Sequence, residues 1–422
     1  MARVHIESYG CAASSADAEM IAGLLAKGGH DTKADAEESD ISVIVTCSVK
    51  DATADKMVHR MKSLSAKPLV VAGCLPKAEQ DTVERFAPKA SMMGPDSIAE
   101  TLRVVESTLT GNRTISLQET GPSKTDLPRV RLNPMVGIVE IASGCMSECT
   151  FCQTKLAKGT LQSYRVGDIV RQIRRDVTDG CKEIWLSSTD NGCYGLDIGS
   201  TLPELISAVS AIPGDFAVRV GMMNPMYMPR IQNSLLESFE SSKVYKFLHI
   251  PVQSGSDQVL ADMGRGHTSK TFRDAARRFR RKFNRFTIST DIIVGFPTET
   301  DENFEETVQL IQEVQPDIIN LSKYSARPGT RASEMKQHDM SEIKRRSRIV
   351  YDIARNISLE HNKKWIGWSG PVLFGETTED GKVRGRNMAY KPIFVKESVD
   401  LGSTDMIKIT DVTDHSLIGM II

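Results

Sequence analysis

The sequence has no run of about 18 apolar residues, the length that a membrane-spanning helix requires. Its first six residues contain Arg3 and His5 but no apolar stretch, which argues against a secretory signal and predicts a cytoplasmic protein. The GxxxxGK[S/T] phosphate loop and short-period repeats are also missing. Because the formal net charge of the 422 residues is only −1, any nucleic-acid-binding surface must be a local basic patch.

Residues 1–112 alternate short β-branched runs with helical patterns. We predict strands at 4–9, 41–46, 69–72 and 90–93, with helices such as 16–27 and 52–64 between them. Such alternation with short loops predicts an open parallel α/β sheet. The Gly-, Pro- and polar-rich stretch that follows predicts a linker at 113–130.

Residues 131–362 repeat the alternation. Strands are predicted at 136–141, 183–187, 217–220, 247–252, 287–294 and 318–324, with helices such as 167–178 and 271–282, and a long charged helix at 341–363. Six βα units are too few for a closed eight-fold barrel and predict a partial (β/α)6 barrel. In residues 363–422, alternating segments at 371–375, 391–395 and 406–410 between Gly- and Asp-rich turns predict a small all-β barrel.

Three cysteines stand close together in a CxxxCxxC loop: Cys145, Cys149 and Cys152. The loop follows the first predicted barrel strand, which places it at the carboxyl face where barrel active sites lie. Three thiolates can hold three irons of a four-iron cluster and leave the fourth iron open to a ligand. A zinc site or incidental cysteines are the alternatives, but structural zinc usually takes four ligands and no fourth cysteine is nearby.

Three further cysteines, Cys11, Cys47 and Cys74, each follow a different predicted parallel strand. The carboxyl ends of neighbouring parallel strands line one crevice, so we expect these thiols to converge on one metal centre. Chance placement of core cysteines is the alternative. Cys181 is predicted to be a core residue, and Cys193 is assigned to neither set. Eight cysteines in a cytosolic protein favour metal or redox use over disulfides.

With both cysteine sets and a C-terminal β-barrel, the chain resembles, end to end, the methylthiotransferases of the radical S-adenosylmethionine superfamily. The resemblance implies that Cys11, Cys47 and Cys74 hold an auxiliary [4Fe–4S] cluster. It implies that the CxxxCxxC cysteines hold a second [4Fe–4S] cluster, which binds S-adenosylmethionine. The C-terminal barrel is similar to a TRAM domain, a small nucleic-acid-binding barrel.

Several stretches indicate a branch of this family. Residues 149–155, with Thr-Lys after the last cluster cysteine, and residues 161–164, 188–195 and 218–225 are similar to the branch that modifies threonylcarbamoyladenosine. The stretches 249–256, 290–300 and 324–330 are shared with the family as a whole. The chain departs from the family's pattern in Ala-Ala-Ser-Ser at 12–15 and in Val45, where asparagines are usual.

The branch implies insertion of a methylthio group at adenine carbon 2, at position 37 in the anticodon loop of tRNA. An electron donor such as a flavodoxin or a ferredoxin would serve the reaction, and no membrane partner is expected. Two alternatives share the chemistry, with isopentenyladenosine in tRNA or an aspartate of a ribosomal protein as the substrate. An alternative of another class is a non-catalytic iron–sulfur protein that binds RNA or senses redox state.

Four residues are predicted to contact S-adenosylmethionine. Asp190, Arg219 and Gln253 stand at predicted strand ends around the barrel mouth, and Phe151 lies in the cluster loop. Asp190 is also placed with the three loop cysteines in the catalytic group. Structural salt bridges are the alternative role for the charged members.

Arg386, Asn387, Tyr390 and Lys391 resemble a family stretch in the C-terminal barrel and are predicted to bind RNA through phosphate contacts and base stacking. An ordinary turn with a core tyrosine is the alternative. The dense basic stretch at 277–285 lies on a predicted helix and is a further candidate for phosphate contact, unless it is simply a solvated face.

Overall fold

A computed structural model describes residues 1–47, 51–118, 121 and 123–422 of the chain. The N-terminal elements are β1 (Val4–Ser8), α1 (Ala12–Lys27), β2 (Ile41–Thr46), α2 (Asp51–Leu64), β3 (Leu69–Gly73), α3 (Cys74–Ala78), α4 (Gln80–Phe86), β4 (Ser91–Met93), α5 (Thr101–Leu109) and β5 (Ile115–Ser116). The strands pair in the order β1-β2-β3-β4-β5, and every pair is parallel. The predicted open parallel sheet is confirmed.

The central strands β2 and β3 end at the same level of this sheet. All their residues are buried, as expected for parallel strands covered on both faces. Thr46 lies opposite Gly73 in the register. Gly73 has a φ of +93°, and a Cβ atom there would lie 2.5 Å from the Thr46 carbonyl oxygen. This close pairing brings the residues that follow, Cys47 and Cys74, to the same edge.

The stretch predicted as a linker, 113–130, contributes described residues to the domains on both sides of it. Its first residues form β5, which extends the N-terminal sheet by pairing with β4. Lys124 from the same stretch is buried between the first two domains. The polar composition of the segment predicted a linker, but the charge of its Lys124 forms buried ion pairs with Asp17 and Glu140.

The central domain is a partial barrel of parallel strands with helices outside. Its elements are β6 (Val136–Glu140), β7 (Ala142–Ser143), α6 (Thr154–Lys158), β8 (Gln162–Ser163), α7 (Val166–Thr178), β9 (Glu183–Ser187), α8 (Leu202–Ser210), β10 (Ala217–Val220), α9 (Met228–Ser238), β11 (Phe247–His249), α10 (Asp257–Asp262), α11 (Ser269–Lys282), β12 (Thr287–Val294), α12 (Asp301–Val314), β13 (Ile318–Lys323) and α13 (Met340–Lys363). One sheet contains β10, β9 and β6, and a second contains β11, β12 and β13. A parallel bridge between Val218 and Val244 connects the two sheets. The predicted six-stranded partial barrel is confirmed.

Side chains alternate between the helices outside this barrel and the lumen inside it. Val218 and Val220 of β10 belong to the main hydrophobic core, under the helices. Arg219 stands between them and therefore faces the lumen, over the ring of Trp185. The lumen thus carries polar and aromatic side chains, while the apolar core lies between the strands and the helices.

The C-terminal elements are β14 (Ser369–Thr377), β15 (Val383–Arg386), β16 (Pro392–Val395), β17 (Thr404–Val412) and β18 (Leu417–Ile421). They form a closed barrel in the order β14-β15-β16-β18-β17, which confirms the predicted all-β domain. This domain packs at the amino-terminal ends of β11 and β12. There, the Thr287 hydroxyl donates to the Ala389 carbonyl at 2.6 Å, and the Lys246 amide donates to the Met388 carbonyl at 2.7 Å.

Among the described helices, none combines the length and the apolar character needed to cross a membrane.

Candidate functional site with two cysteine sets

The three N-terminal cysteines come together at the carboxyl edge of the first sheet. Cys11 precedes α1, Cys47 follows β2, and Cys74 begins α3. A hydrogen bond with the Cys47 thiol lowers the pKa of Cys11, whereas burial raises the pKa of Cys74 to about 12. Gly10, with a φ of +119°, makes room for this approach, because a Cβ atom there would lie 2.9 Å from Cys47 Sγ. The convergence expected from strand register is therefore present.

A hydroxyl and a thioether contact two of the N-terminal cysteines. Within the 12–15 stretch, the Ser14 hydroxyl lies 3.8 Å from Cys11 Sγ. The Cys47 amide donates to the sulfur of Met57 at 3.2 Å. The Ser14 hydroxyl thus lies at a thiol and the Met57 thioether at the backbone of Cys47, and outer contacts of this kind tune a metal centre.

The loop that carries Cys145, Cys149 and Cys152 is held at several points. The Cys145 amide donates to the Gly159 carbonyl, and Lys155 Nζ donates to the Cys145 carbonyl at 2.6 Å. On the opposite side, the Thr150 amide donates to the Met263 carbonyl at 2.9 Å. These contacts fix the three thiols at the carboxyl end of the barrel, at the end of the lumen.

Two residues beside these thiols were not assigned from sequence. Arg265 donates from Nη1 to Cys149 Sγ at 3.4 Å and from Nη2 to the Pro251 carbonyl at 2.9 Å. The thiol of Cys193 hydrogen-bonds Cys145, and this contact lowers the pKa of Cys145 to about 6. Arg265 follows Cys149 by 116 positions, so no spacing rule could have linked them.

Asp190 lies next to the cluster loop, as predicted from its strand end. One of its carboxylate oxygens, Cys145 Sγ and Cys193 Sγ lie within 4.8 Å of one another. Its Oδ1 accepts hydrogen bonds from the amides of Gly192 at 2.9 Å and Asn224 at 3.0 Å. Burial, reinforced by the Cys145 thiolate, raises the pKa of Asp190 to about 7. The carboxyl group therefore ties the loops after β9 and β10 beside the cysteines.

Gln253 offers an unused acceptor at the mouth of the lumen. Its backbone is held in the left-handed region at φ +78° by hydrogen bonds with Asp291 and Ile293. The side chain is buried, and Oε1 has no hydrogen-bond partner within the described residues. Because a buried acceptor without a donor is costly, the site suits a ligand that brings an N–H group. The six cysteines and this acceptor fit two [4Fe–4S] clusters and S-adenosylmethionine.

The other two predicted contacts to S-adenosylmethionine lie elsewhere. Arg219 is inside β10 and packs between rings of the lumen and of the C-terminal barrel, so the structure does not bring it to the cluster loop. Phe151 turns into a small apolar core and packs edge-on to Phe296, with ring centroids 6.5 Å apart. The sequence placed Arg219 at the end of its strand, but the residue lies inside β10 (Ala217–Val220).

The predicted RNA contacts of the C-terminal barrel need correction. Asn387, Tyr390 and Lys391 are 1%, 6% and 3% exposed, respectively. The Tyr390 ring packs 4.8 Å from Tyr245 and 4.9 Å from Phe247, and Arg386 lies over its face at 4.1 Å. In this domain arrangement Tyr390 is not available to stack on a base. These residues instead match the alternative to RNA binding, which is an ordinary turn with a core tyrosine.

Lys391 contributes to the same interface through a buried ion pair with Asp317, at 3.2 Å. By contrast, the basic stretch on α11 stays largely in solvent. Arg277, Arg278 and Arg281 are exposed, while Arg280 is tied to Asp317 at 3.0 Å. Helix α11 therefore stays a predicted phosphate-binding surface.

Tyr390→Ala is therefore expected to act on stability rather than on RNA stacking. Removing a buried ring leaves a cavity and should lower the free energy of unfolding by about 3 kcal/mol or more. Tyr390→Phe, which keeps the ring, is the matched control and should stay close to the unaltered protein. Denaturant unfolding measures the first effect. A Tyr390→Ala protein of normal stability with weaker tRNA binding would instead favour a stacking role.

A chain of buried charges joins the two α/β domains. Glu140 of β6 accepts from Lys158 Nζ at 2.7 Å and pairs with Lys124 Nζ at 3.0 Å. Lys124 also pairs with Asp17 of α1 at 2.7 Å. Although burial raises the pKa of Glu140, the two lysines lower it to about 2. Glu140 is therefore ionised and holds two cations from different segments.

Lys158 also brings the two cysteine sets together. It follows Cys152 by six positions and ends α6. Burial alone would lower the pKa of Lys158, but Glu140 and the thiols of Cys74 and Cys11 help to raise it well above its ordinary value. The helix that leaves the CxxxCxxC loop thus delivers a cation to the N-terminal set.

Comparison with known proteins agrees with this geometry. Residues 139–311 match the Radical SAM superfamily, and residues 3–94 match the Uncharacterized protein family UPF0004. The chain is 40% identical over 424 residues to a probable threonylcarbamoyladenosine tRNA methylthiotransferase of Pyrococcus abyssi, with 99% of each chain covered. It is 34% identical to the human threonylcarbamoyladenosine tRNA methylthiotransferase, over 94% of this chain and 70% of that protein. The chain belongs to the threonylcarbamoyladenosine tRNA methylthiotransferase family.

Membership confirms the predicted class of enzyme, a radical S-adenosylmethionine methylthiotransferase with [4Fe–4S] clusters. Among solved structures, the radical S-adenosylmethionine methyltransferase TsrM of Kitasatospora setae aligns with a TM-score of 0.57 at 13% identity, over 78% of this chain and 75% of that one. This likeness shows that the chain and TsrM share a fold. The TsrM structure contains bound tryptophan and a SAM analogue.

Iron content tests the two cysteine sets. Anaerobically reconstituted protein is expected to hold about eight irons, and the combined Cys11→Ala, Cys47→Ala and Cys74→Ala variant about four, because each set holds one four-iron cluster. Iron and sulfide analysis, with Mössbauer spectra, measures both. A triple variant that keeps all its iron would show that the N-terminal set is not a cluster site.

Proposed function

We propose that this protein inserts a methylthio group at carbon 2 of N6-threonylcarbamoyladenosine, at position 37 in the anticodon loop of tRNA. One observation carries the proposal. Helix α6 begins two residues after Cys152 and packs against α3, the helix that begins at Cys74. Two cluster sites linked by one short helix suit a reaction that activates a carbon at one site and supplies sulfur at the other.

The reaction explains why such cofactors are needed. The hydrogen on adenine carbon 2 is not acidic, so a general base cannot remove it at reasonable cost. When bound, the clusters and S-adenosylmethionine supply radical chemistry, and the protein supplies binding and orientation. Cys145, Cys149 and Cys152 would hold the cluster that binds S-adenosylmethionine. Gln253 Oε1 would accept a hydrogen bond from a ligand at the mouth of the lumen.

The protein also positions the reacting parts and shields them from water. The loop hydrogen bonds from Lys155 and Thr150 keep the cluster thiols in place. The N-terminal sheet packs across β6, and the C-terminal barrel covers the opposite end of the lumen. We place the reaction in the cytoplasm, where tRNA serves translation, with a flavodoxin or a ferredoxin as the electron donor.

The nucleosides of cellular tRNA test this proposal. Cells without the protein should lose 2-methylthio-N6-threonylcarbamoyladenosine and accumulate N6-threonylcarbamoyladenosine, as measured by liquid chromatography and mass spectrometry. Complementation with the unaltered gene should restore the modified nucleoside, and a Cys149→Ala gene should not. Loss of a methylthio group from isopentenyladenosine instead would assign the other tRNA branch. Unchanged tRNA nucleosides would reject a role in tRNA modification.

A further inference from the structure

A cavity of about 340 Å³ lies where the lumen of the partial barrel meets the C-terminal barrel. Arg219, His249 and Asn320 line it from the lumen, and Arg386 and Tyr390 line it from the C-terminal barrel. The cavity therefore lies between the catalytic domain and the domain expected to approach RNA. No residue of this cavity takes part in either cysteine set.

Arg219 is the unusual member of this lining. Its guanidinium lies 5.2 Å from the ring centroid of Trp185 and 5.6 Å from those of Phe247 and Tyr390. Aromatic faces attract a cation, but they satisfy none of its planar N–H donors. The rings thus hold the guanidinium in one place and leave its hydrogen-bonding capacity for something else.

The other cations of the cavity already have anionic partners. Arg386 pairs with Glu376 at 3.7 Å, Arg355 with Asp414 at 2.6 Å, and Lys391 with Asp317 at 3.2 Å. In the part of the chain that the structure describes, no carboxylate forms an ion pair with Arg219. A guanidinium fork without an acidic partner matches the geometry of a carboxylate or a phosphate.

Polar groups stand near Arg219 in the same lumen. His249 Nε2 lies 2.8 Å from Asp291 Oδ1, and Asn320 Nδ2 donates to the same oxygen at 2.8 Å. Phe247, whose ring packs under Arg219, also contacts the His249 ring, with centroids 6.4 Å apart. A ligand here would meet a cation together with imidazole and amide groups, a set suited to an anionic and amide-rich substituent.

We propose that Arg219 binds the carboxylate of the N6-threonylcarbamoyl substituent and so selects this base over unmodified adenosine. The inference rests on the function proposed above. The substituent joins a urea to a threonine, so a carboxylate is its only charge. Carbon 2 and carbon 6, which carries N6, are the two ring neighbours of N1 in adenine. In this proposal, carbon 2 faces the cluster loop and the N6 substituent enters the cavity beside Arg219.

Binding of short RNAs tests the inference. The holoprotein would be titrated with three anticodon stem-loops that carry threonylcarbamoyladenosine, its neutral methyl ester, or unmodified adenosine at the target position. The unaltered protein should bind the acid roughly 10- to 100-fold more tightly than the other two, because a charged hydrogen bond is worth about 1.5–3 kcal/mol. Arg219→Gln should remove this preference, and Arg219→Lys should recover part of it.

Arg355→Gln is the matched control, because it removes one cation from the rim of the same cavity and should keep the preference. Arg219→Gln should also unfold in a single cooperative thermal transition and retain the S-adenosylmethionine affinity of the unaltered protein. Weaker S-adenosylmethionine binding would assign Arg219 to that ligand, and equal weakening of all three RNAs would assign it to a backbone phosphate. Either result, or a preference that survives Arg219→Gln, overturns the inference.

The function and the inference can fail separately. If cellular tRNA shows the proposed modification but the unaltered protein does not distinguish the acid from its ester, the inference is wrong and the function stands. If the modified nucleoside carries no threonylcarbamoyl group, the function is wrong, and the reason for a carboxylate site disappears with it.

Discussion

Replacing Cys149 with alanine is expected to abolish cleavage of S-adenosylmethionine, and with it every later step. Cys149 is one of three thiols on the fixed loop, and Arg265 donates to its sulfur. A cluster held by three cysteines has no spare protein ligand, so the loss of one thiol should remove the open-iron site. The measurement is 5′-deoxyadenosine released by the anaerobically reconstituted and reduced variant, which we expect to fall to background.

Cys47→Ala should have a different effect. Because Cys47 belongs to the N-terminal set, its loss should stop sulfur transfer to tRNA while deoxyadenosine still forms. Cys181→Ala is the matched control, since Cys181 is a buried cysteine whose thiol donates weakly to the Pro134 carbonyl and lies in the apolar core. That variant should keep both activities. Deoxyadenosine production that disappears equally in Cys47→Ala and Cys149→Ala would argue against two separate roles.

The architecture and the cysteine sets were accessible from sequence because both depend on local patterns. The short segments predicted as strands at 41–46, 183–187, 217–220 and 287–294 are strands with those same bounds. Parallel pairing then placed Cys47 and Cys74 side by side, since strands in register end at one edge. Here the order along the chain determines which residues meet.

Contacts between distant segments were not accessible in this way. The basic and aromatic stretch at 386–391 is typical of RNA binding by a small barrel. The sequence does not indicate which face of that barrel another domain covers. Tyr390 faces Tyr245 and Phe247 across a domain boundary and has a φ of +60° that no local pattern predicts. Arg265 and Lys124 likewise acquire their partners only through the tertiary fold.

Glu140→Ala is expected to be strongly destabilising. Glu140 is 1% exposed and is the anionic partner that Lys124 and Lys158 share. Removing one partner of a buried ion pair costs about 3–5 kcal/mol, because the remaining charge stays buried without compensation. Here two ammonium groups lose a partner, and only Asp17 remains for Lys124. The free energy of unfolding, measured by urea denaturation of the anaerobic holoprotein, should fall by at least this amount.

Asp274→Ala is the matched control for loss of an acidic ion-pair partner. Asp274 pairs with Lys270 on the exposed face of α11, and exposed pairs contribute at most about 1 kcal/mol. Its effect should therefore be several times smaller than that of Glu140→Ala. Equal effects would mean that solvent reaches the buried chain and screens it.

A double-mutant cycle then shows whether the charges act as one unit. Lys158→Met alone leaves Glu140 with Lys124 as its cation, and Glu140→Gln alone leaves Lys158 without its carboxylate partner. Residues in one ion-pair network usually couple by about 0.5–3 kcal/mol, so the combined variant should be less destabilised than the two single effects predict. Additive effects would show that Glu140 and Lys158 stabilise the fold independently. Coupling would mean that charge pairing with Glu140 of β6 fixes the end of the helix that leaves the CxxxCxxC loop, while Lys124 links Glu140 to Asp17 of the N-terminal domain.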